Sequence, residues 1–256
     1  MTISNKKPLL SAESIAVRFD GVTALDDFSM VVAQGEILGI IGPNGAGKTT
    51  LFNVLSGFLA PDAGTVRLGG HDITSLRPDR VARLGLARTF QEVRLLYDLT
   101  VIDNLLLAFP HQPGERLANI LLRPWRCFSA ERCNRQLAVQ ILDELGLSTM
   151  AFDRASSLSY GQQKLISLAS SLASKPQAVL LDEPIAGIAP EARERVLEMI
   201  KRQVAKGVSV VIIEHDMDVI SSLCERVVFM DSGRKICEGT PEHVRNDPQV
   251  IEAYLE

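Results

Sequence analysis

Three short runs carry apolar residues at nearly every position: residues 37–41 (Ile-Leu-Gly-Ile-Ile), 178–181 (Ala-Val-Leu-Leu) and 209–213 (Ser-Val-Val-Ile-Ile). Without polar alternation they read as strands buried on both faces. Between the second and third lies helical spacing over 190–205, where Val196, Leu197, Ile200 and Val204 fall on one side. Strands of this kind joined by helices predict a parallel sheet with both faces covered. Residues 227–230, the turn Asp231-Ser232-Gly233 and residues 235–237 predict a closing hairpin. Two short helices are expected after it, at 242–245 and 249–255.

Upstream, residues 9–19 read as an extended segment ended by Asp20-Gly21. A weakly alternating stretch at 27–32 precedes a turn at 33–36. Pro61-Asp62-Ala63-Gly64 reads as a turn, 65–68 as a short strand and Gly69-Gly70 as its return. A short helix at 78–84 is closed by Gly85, and 86–90 runs extended into Gln91. From about 98 to 175 the pattern becomes helical, at 101–108, 129–145 and 161–173. Leu137, Ile141, Leu142 and Leu145 form one face of the second of these helices. The Pro- and Arg-rich stretch 110–126, which contains the sole tryptophan, Trp125, reads as an inserted loop or short helix. The expected division is 1–97, a helical subdomain at 98–175, and 176–256.

Composition adds exclusions. With 46% hydrophobic and 23% charged residues, the 256-residue chain is an ordinary globular protein. A net charge of −4 argues against nucleic-acid binding, which needs basic surface. Cys127, Cys133, Cys224 and Cys237 lack C-x-x-C pairing and read as reduced thiols in a cytoplasmic protein. No apolar run reaches membrane-spanning length, and Met1 to Pro8 lacks a signal-peptide core. Any membrane role is expected to come through a partner.

The chemistry centres on Gly42-Pro43-Asn44-Gly45-Ala46-Gly47-Lys48-Thr49-Thr50, which fits the phosphate-loop pattern G-x-x-x-x-G-K-[ST]. An apolar strand precedes it and a helical segment follows, the context in which such a loop works. Gly42, Gly45 and Gly47 let bare N–H groups approach phosphate oxygens. The new helix aims its positive end at the same oxygens. Lys48 adds a point charge, and the Thr49 hydroxyl suits Mg²⁺, which prefers oxygen donors. A nucleotide is expected here.

Asp182 and Glu183 follow the apolar run at 178–181, at the strand end where open α/β sheets bind ligands. Asp182 is placed to hold Mg²⁺ directly or through water. Glu183 is placed to polarise an attacking water. His215 follows the run at 209–213 and should reach the same edge, where an imidazole can bond a terminal phosphate. Its acidic neighbours Glu214, Asp216 and Asp218 read better as caps than as a metal cluster. Leu158-Ser159-Tyr160-Gly161-Gln162 opens a helix with Ser159 as N-cap; the spacing fits either a plain capped helix or an anion site.

In this order, Gly42–Thr50, Gln91, Leu158–Gln162, Leu180–Pro184 and His215 resemble the ATP-binding subunit of an ABC transporter over nearly the whole chain. Tyr160 departs from the commoner Leu-Ser-Gly-Gly-Gln. Arg88-Thr89-Phe90-Gln91, Thr100–Leu105 and the tail from Gly239 to Leu255 are similar to the subunits that drive branched-chain amino-acid uptake. The 110–126 insert resembles the larger of that system's two ATPases. The resemblance implies an α/β fold: a P-loop NTPase (RecA-like) core with a parallel sheet, an N-terminal antiparallel β region and an inserted helical subdomain. It implies ATP and Mg²⁺ as cofactors, with Phe19 stacking on adenine. Gln91 would reach Mg²⁺ or the water, and Ser159, Tyr160, Gly161 and Gln162 would meet the ATP of a partner subunit.

The implied partners are a second ATPase subunit forming a heterodimer, two integral membrane permease subunits and a periplasmic substrate-binding protein. The implied location is the cytoplasmic face of the inner membrane, reached through the permeases. Ala189 stands where related subunits carry Asn, and Ser170 where an Arg is usual; both put communication between the ATP sites in question. Urea-uptake and lipopolysaccharide-export ATPases share most of these motifs. A soluble ABC ATPase of DNA repair or translation is disfavoured, since neither long coiled coils nor tandem units are present. A regulatory module without hydrolysis is opposed by Glu183 and His215.

Overall fold

The computed structural model describes residues 7–90, 93–110, 112–115 and 117–255. Their strands are β1 (Pro8–Phe19), β2 (Val22–Ala33), β3 (Ile37–Ile41), β4 (Ala63–Leu68), β5 (His71–Asp72), β6 (Leu86–Arg88), β7 (Ala178–Asp182), β8 (Ser209–Ile213), β9 (Arg226–Asp231) and β10 (Arg234–Gly239). Their helices are α1 (Lys48–Leu55), α2 (Pro78–Arg83), α3 (Val101–Ala108), α4 (Leu117–Leu122), α5 (Pro124–Leu145), α6 (Tyr160–Ala173), α7 (Pro190–Ala205), α8 (Met217–Leu223), α9 (Pro241–Arg245) and α10 (Pro248–Leu255). The chain divides into two compact units, one drawn from 1–88, 176–184 and 200–256, the other from 89–175 and 185–199.

All the strands belong to the first unit. One sheet has the order β2-β1-β4-β5 and is antiparallel; the other runs β10-β9-β3-β8-β7-β6. In the second sheet β9, β3, β8, β7 and β6 are parallel, and β10 closes the edge antiparallel to β9. Every residue of β3, β7 and β8 is buried, as their unbroken apolar sequence requires. Alternate residues of this sheet (Leu38 and Ile40, Val211 and Ile213, Val228 and Met230) enter a core shared with β1, β2, β4 and Leu51, Phe52 and Leu55 of α1. Gly39 points to the other face, where a Cβ would meet Cys224 Sγ at 3.1 Å and Ile220 at 3.2 Å.

The second unit is helical. Its α3, α5 and α6 pack against one another, and α4 packs on α5. The buried positions of α5 are Ala138, Leu142 and Leu145, spaced i, i+4, i+7. Leu137 and Ile141, expected on the inner face, are only half-buried beside that stripe.

The structure corrects several local expectations. Of the two readings of 110–126, the short helix is present as α4, while α5, expected from 129, begins at Pro124, since proline is favoured at a first helical position and its fixed φ suits the turn. Ala63 and Gly64 lie in β4, because Ala63 pairs with Ala16 across a bulge in β1. β2 begins at Val22 rather than Asp27, as its pairing with β1 runs down to the turn at Asp20-Gly21. β6 stops at Arg88.

Candidate functional site

Pairing register decides which side chains meet. β3 and β8 pair Ile40 with Ile213, and β7 and β8 pair Asp182 with Ile213. The three parallel strands therefore end together, and the phosphate loop, Glu183 and His215 leave the sheet at one carboxyl edge. This is the edge at which open α/β sheets hold ligands.

The loop is shaped by its glycines. Gly42, Gly45 and Gly47 have φ of 153°, 85° and 98°. A Cβ at Gly42 would fall 2.0 Å from the Met230 carbonyl, and one at Gly47 2.5 Å from the Ala24 carbonyl. The loop is also tied to the β9–β10 turn, where the Gly233 amide donates to the Ala46 carbonyl at 3.1 Å. Gly47 is the N-cap of α1 and offers no side-chain acceptor, and the first turn of α1 has no acidic residue. The amides opening this helix thus meet no built-in anion, while Gly45 faces open space. That geometry is suited to cradle phosphate oxygens.

Lys48 is buried, and its ammonium donates back to the Gly42 and Pro43 carbonyls at 2.7 and 2.8 Å. Burial pulls its pKa below the ordinary lysine value, and the charges of Glu183 and Asp182 pull the other way. Lysine and the two carboxylates therefore share one electrostatic neighbourhood. Thr49 is exposed, Pro43 and Thr50 half-buried, and Asn44 exposed. Phe19 ends β1 with 47% of its surface exposed.

Glu183 and His215 form a pair: Nε2 of the imidazole lies 3.0 Å from Oε1 of the carboxylate. The Glu183 amide continues the ladder to the Ile213 carbonyl at 3.0 Å, and its backbone then turns at φ 46°. A non-glycine residue in this left-handed region carries strain of about 1–3 kcal/mol, held by its surroundings. The strain aims a carboxylate at the sheet edge directly after a fully buried strand.

Arg88 was not singled out for this site by the sequence. Its guanidinium donates to Asn53 Oδ1 at 2.7 Å and Ser56 Oγ at 3.0 Å, and sits 3.7 Å from Asp182 Oδ2. It also stacks over Phe52 and Phe58, 5.6 and 5.9 Å from their centroids. The signal was available: an arginine that ends an otherwise apolar extended run needs a partner once its side chain is buried. Asp182 is buried in this pair, so its oxygens suit a hard cation but already serve a guanidinium. Gln91 lies outside the described residues.

Ser159 to Gln162 belong to the second unit. Ser159 caps α6 in a capping box: its hydroxyl accepts from the Gln162 amide, and Gln162 Oε1 accepts from the Ser159 amide at 2.9 Å. Tyr160 is half exposed, and its ring edge approaches Gly187 so closely that a Cβ there would lie 3.1 Å away. Gly161 lies against the Gly187 carbonyl and Ile188. Lys164 donates to the Ala186 carbonyl at 2.7 Å, so the segment after Glu183 and the start of α6 are pinned together. Ser170 bonds back to the Ile166 carbonyl of its own helix, and the Ala189 carbonyl accepts from the Arg193 amide as α7 starts.

Comparison with known proteins gives this geometry a family. Residues 25–186 match the ABC transporter family, and residues 234–255 match the branched-chain amino acid ATP-binding cassette transporter family. The chain is similar to the high-affinity branched-chain amino acid transport ATP-binding protein BraF of Pseudomonas aeruginosa. The two are 37% identical, with 97% of this chain and 98% of BraF covered. It is 38% identical to LivG of Escherichia coli, with coverage of 97% and 98%. Among solved structures it resembles the ADP conformation of MJ1267, an ATP-binding cassette of an ABC transporter. That match has a TM-score of 0.81 and 33% identity, over 98% of this chain and 99% of that one. The chain belongs to the ABC transporter family, as an ATP-binding, ATP-hydrolysing cassette.

Proposed function

We propose that the chain is the larger ATPase subunit of an importer for branched-chain amino acids. The observation that carries this reading is near full-length similarity to BraF and LivG, joined by the family match at the C-terminal tail. The cassette works at the cytoplasmic face of the inner membrane, held there by two permease subunits. A periplasmic binding protein delivers the cargo. A second, homologous ATPase completes a heterodimer, and the capped start of α6 at Ser159 to Gln162 meets the nucleotide on that partner.

At its own site, the amides from Gly42 to Thr50 cradle the phosphates and Lys48 swings from the loop carbonyls to the outer phosphates. Phe19 covers the adenine. Thr49, Asp182 and Gln91 would hold Mg²⁺, which would supply positive charge beside the phosphates. The oxygen donors of Thr49 and Asp182 suit that ion. Glu183 orients and polarises the attacking water, and His215, 3.0 Å from it, steadies the carboxylate and bonds the terminal phosphate.

The test is uptake of labelled leucine at micromolar concentration, by cells with and without the chain and lacking other leucine importers. Loss of uptake, restored by the wild type and not by Glu183→Gln, is the expected result. Unchanged uptake refutes the cargo and points to urea as the next substrate to measure.

A further inference from the structure

The α4–α5 hairpin leaves apolar side chains in the open. Leu121, Leu122, Trp125 and Phe128 are between 66% and 80% exposed. On α5, positions 125, 128, 132, 135 and 139 are spaced i+3 and i+4 and form one stripe, separate from the buried stripe of Ala138, Leu142 and Leu145. Aromatics occupy the first two positions of that stripe, and Arg132 and Arg135 the next two. The arginines, with Gln136 and Gln140, line an open hollow of about 560 Å³. From 117 to 136 the sequence holds four arginines and one acidic residue, Glu131, in a chain whose net charge is −4.

We infer that this hairpin docks on the anionic phospholipid surface of the membrane. The inference rests on the proposed importer reading for placing the chain beside a bilayer. The charge sign selects lipid headgroup phosphate, and the order of side chains fits the depth profile of an interface. The aromatics lead the arginines by seven residues, roughly 10 Å of helix. With Arg132 and Arg135 at the phosphates, Trp125 and Phe128 reach the boundary between headgroups and acyl chains, where amphipathic segments bury their apolar side. Leu121 and Leu122 at the tip enter with them. Arg123 and Arg126, which flank Trp125 and are exposed, keep their guanidiniums at the phosphates by extending their long stems upward.

Trp125 is the sole tryptophan, so its emission reports this site alone. The purified chain is mixed with vesicles of equal parts phosphatidylglycerol and phosphatidylcholine, or of phosphatidylcholine only. The expected result is a blue shift with the anionic vesicles that salt suppresses. Replacing both arginines, as Arg132→Gln with Arg135→Gln, should raise the half-saturating lipid concentration roughly 25-fold, at about fivefold per arginine. Both side chains are exposed, and ADP binding measured in the same samples verifies the fold. Absence of a shift with anionic vesicles overturns the inference. So does a shift indifferent to the arginine replacements, or one that appears only on adding detergent-solubilised permease, which would make the occupant a protein groove. With ADP binding intact, any of these results refutes lipid docking and leaves the importer reading standing.

Discussion

Arg88 and Asp182 form an ion pair at 3.7 Å, with both side chains no more than 7% exposed, and the same guanidinium holds Asn53 of α1 and Ser56, the residue that ends that helix. The arginine thereby joins the helix that follows the phosphate loop to the strand that ends at the magnesium-binding candidate. Removing one partner of such a pair strands the other charge in the core, at about 3–5 kcal/mol. Arg88→Met should lower the unfolding free energy, measured by urea titration, by that amount, and Arg88→Lys should recover part of it. A change under about 1 kcal/mol in Arg88→Met would show that the pair adds little to the fold.

Glu183→Gln keeps the shape of the side chain and removes the charge. A positioned general base contributes roughly 10²–10⁴ in rate. Steady-state ATP turnover of the assembled transporter should drop by that factor, while ADP and ATP titrations retain wild-type affinity. Turnover within a few-fold of wild type would assign the carboxylate's job to another group.

Gly47→Ala tests the loop through its backbone. The methyl would sit 2.5 Å from the Ala24 carbonyl, at a φ of 98° that alanine avoids. The strain is of order 1–3 kcal/mol. We expect lowered thermal stability together with weakened ADP binding by calorimetry. Wild-type affinity in this variant would mean that the cradle does not depend on the loop's geometry.

Cys224 is buried against Gly39, and burial pushes its thiol up to about 12. The folded value lies above the unfolded one, near 8.5. Its contribution to stability is therefore whole below about pH 8 and declines as pH rises toward 12, by at most about 1.4 kcal/mol per pH unit. The stability of Cys224→Ala should fall less steeply over that range than that of the wild type, measured by urea unfolding followed by circular dichroism. Identical slopes would remove the thiol from the alkaline limb. In the native protein, Cys133, which is exposed, should react with a thiol reagent well before Cys224.

The legible parts of this chain were those governed by local chemistry. Unbroken apolar runs marked β3, β7 and β8 to within a residue, and the glycine spacing marked the phosphate loop. Glu183 and His215 were placed at the same sheet edge, which only the parallel register could turn into a 3.0 Å contact. Arg88 was visible as a letter and opaque as a partner, since its acceptors on α1 and at its C-terminal end lie more than thirty residues away in sequence. The start of α5 lies five residues before the expected 129, inside the stretch read as Pro- and Arg-rich, because proline at a first helical position is compatible with the turn.

β3 lies between β8 and β9 in the sheet, and both neighbours are encoded late in the chain. The strand that feeds the phosphate loop leaves the ribosome roughly 170 residues before β8 is made, which at ordinary elongation speed is about 10–30 s. For that interval the nascent chain carries a finished apolar strand with no sheet to enter, a ready target for chaperones or for a neighbouring nascent chain. Nucleotide can be gripped only after synthesis is nearly complete, so truncated products of this gene should accumulate as aggregates and not as partly active cassettes.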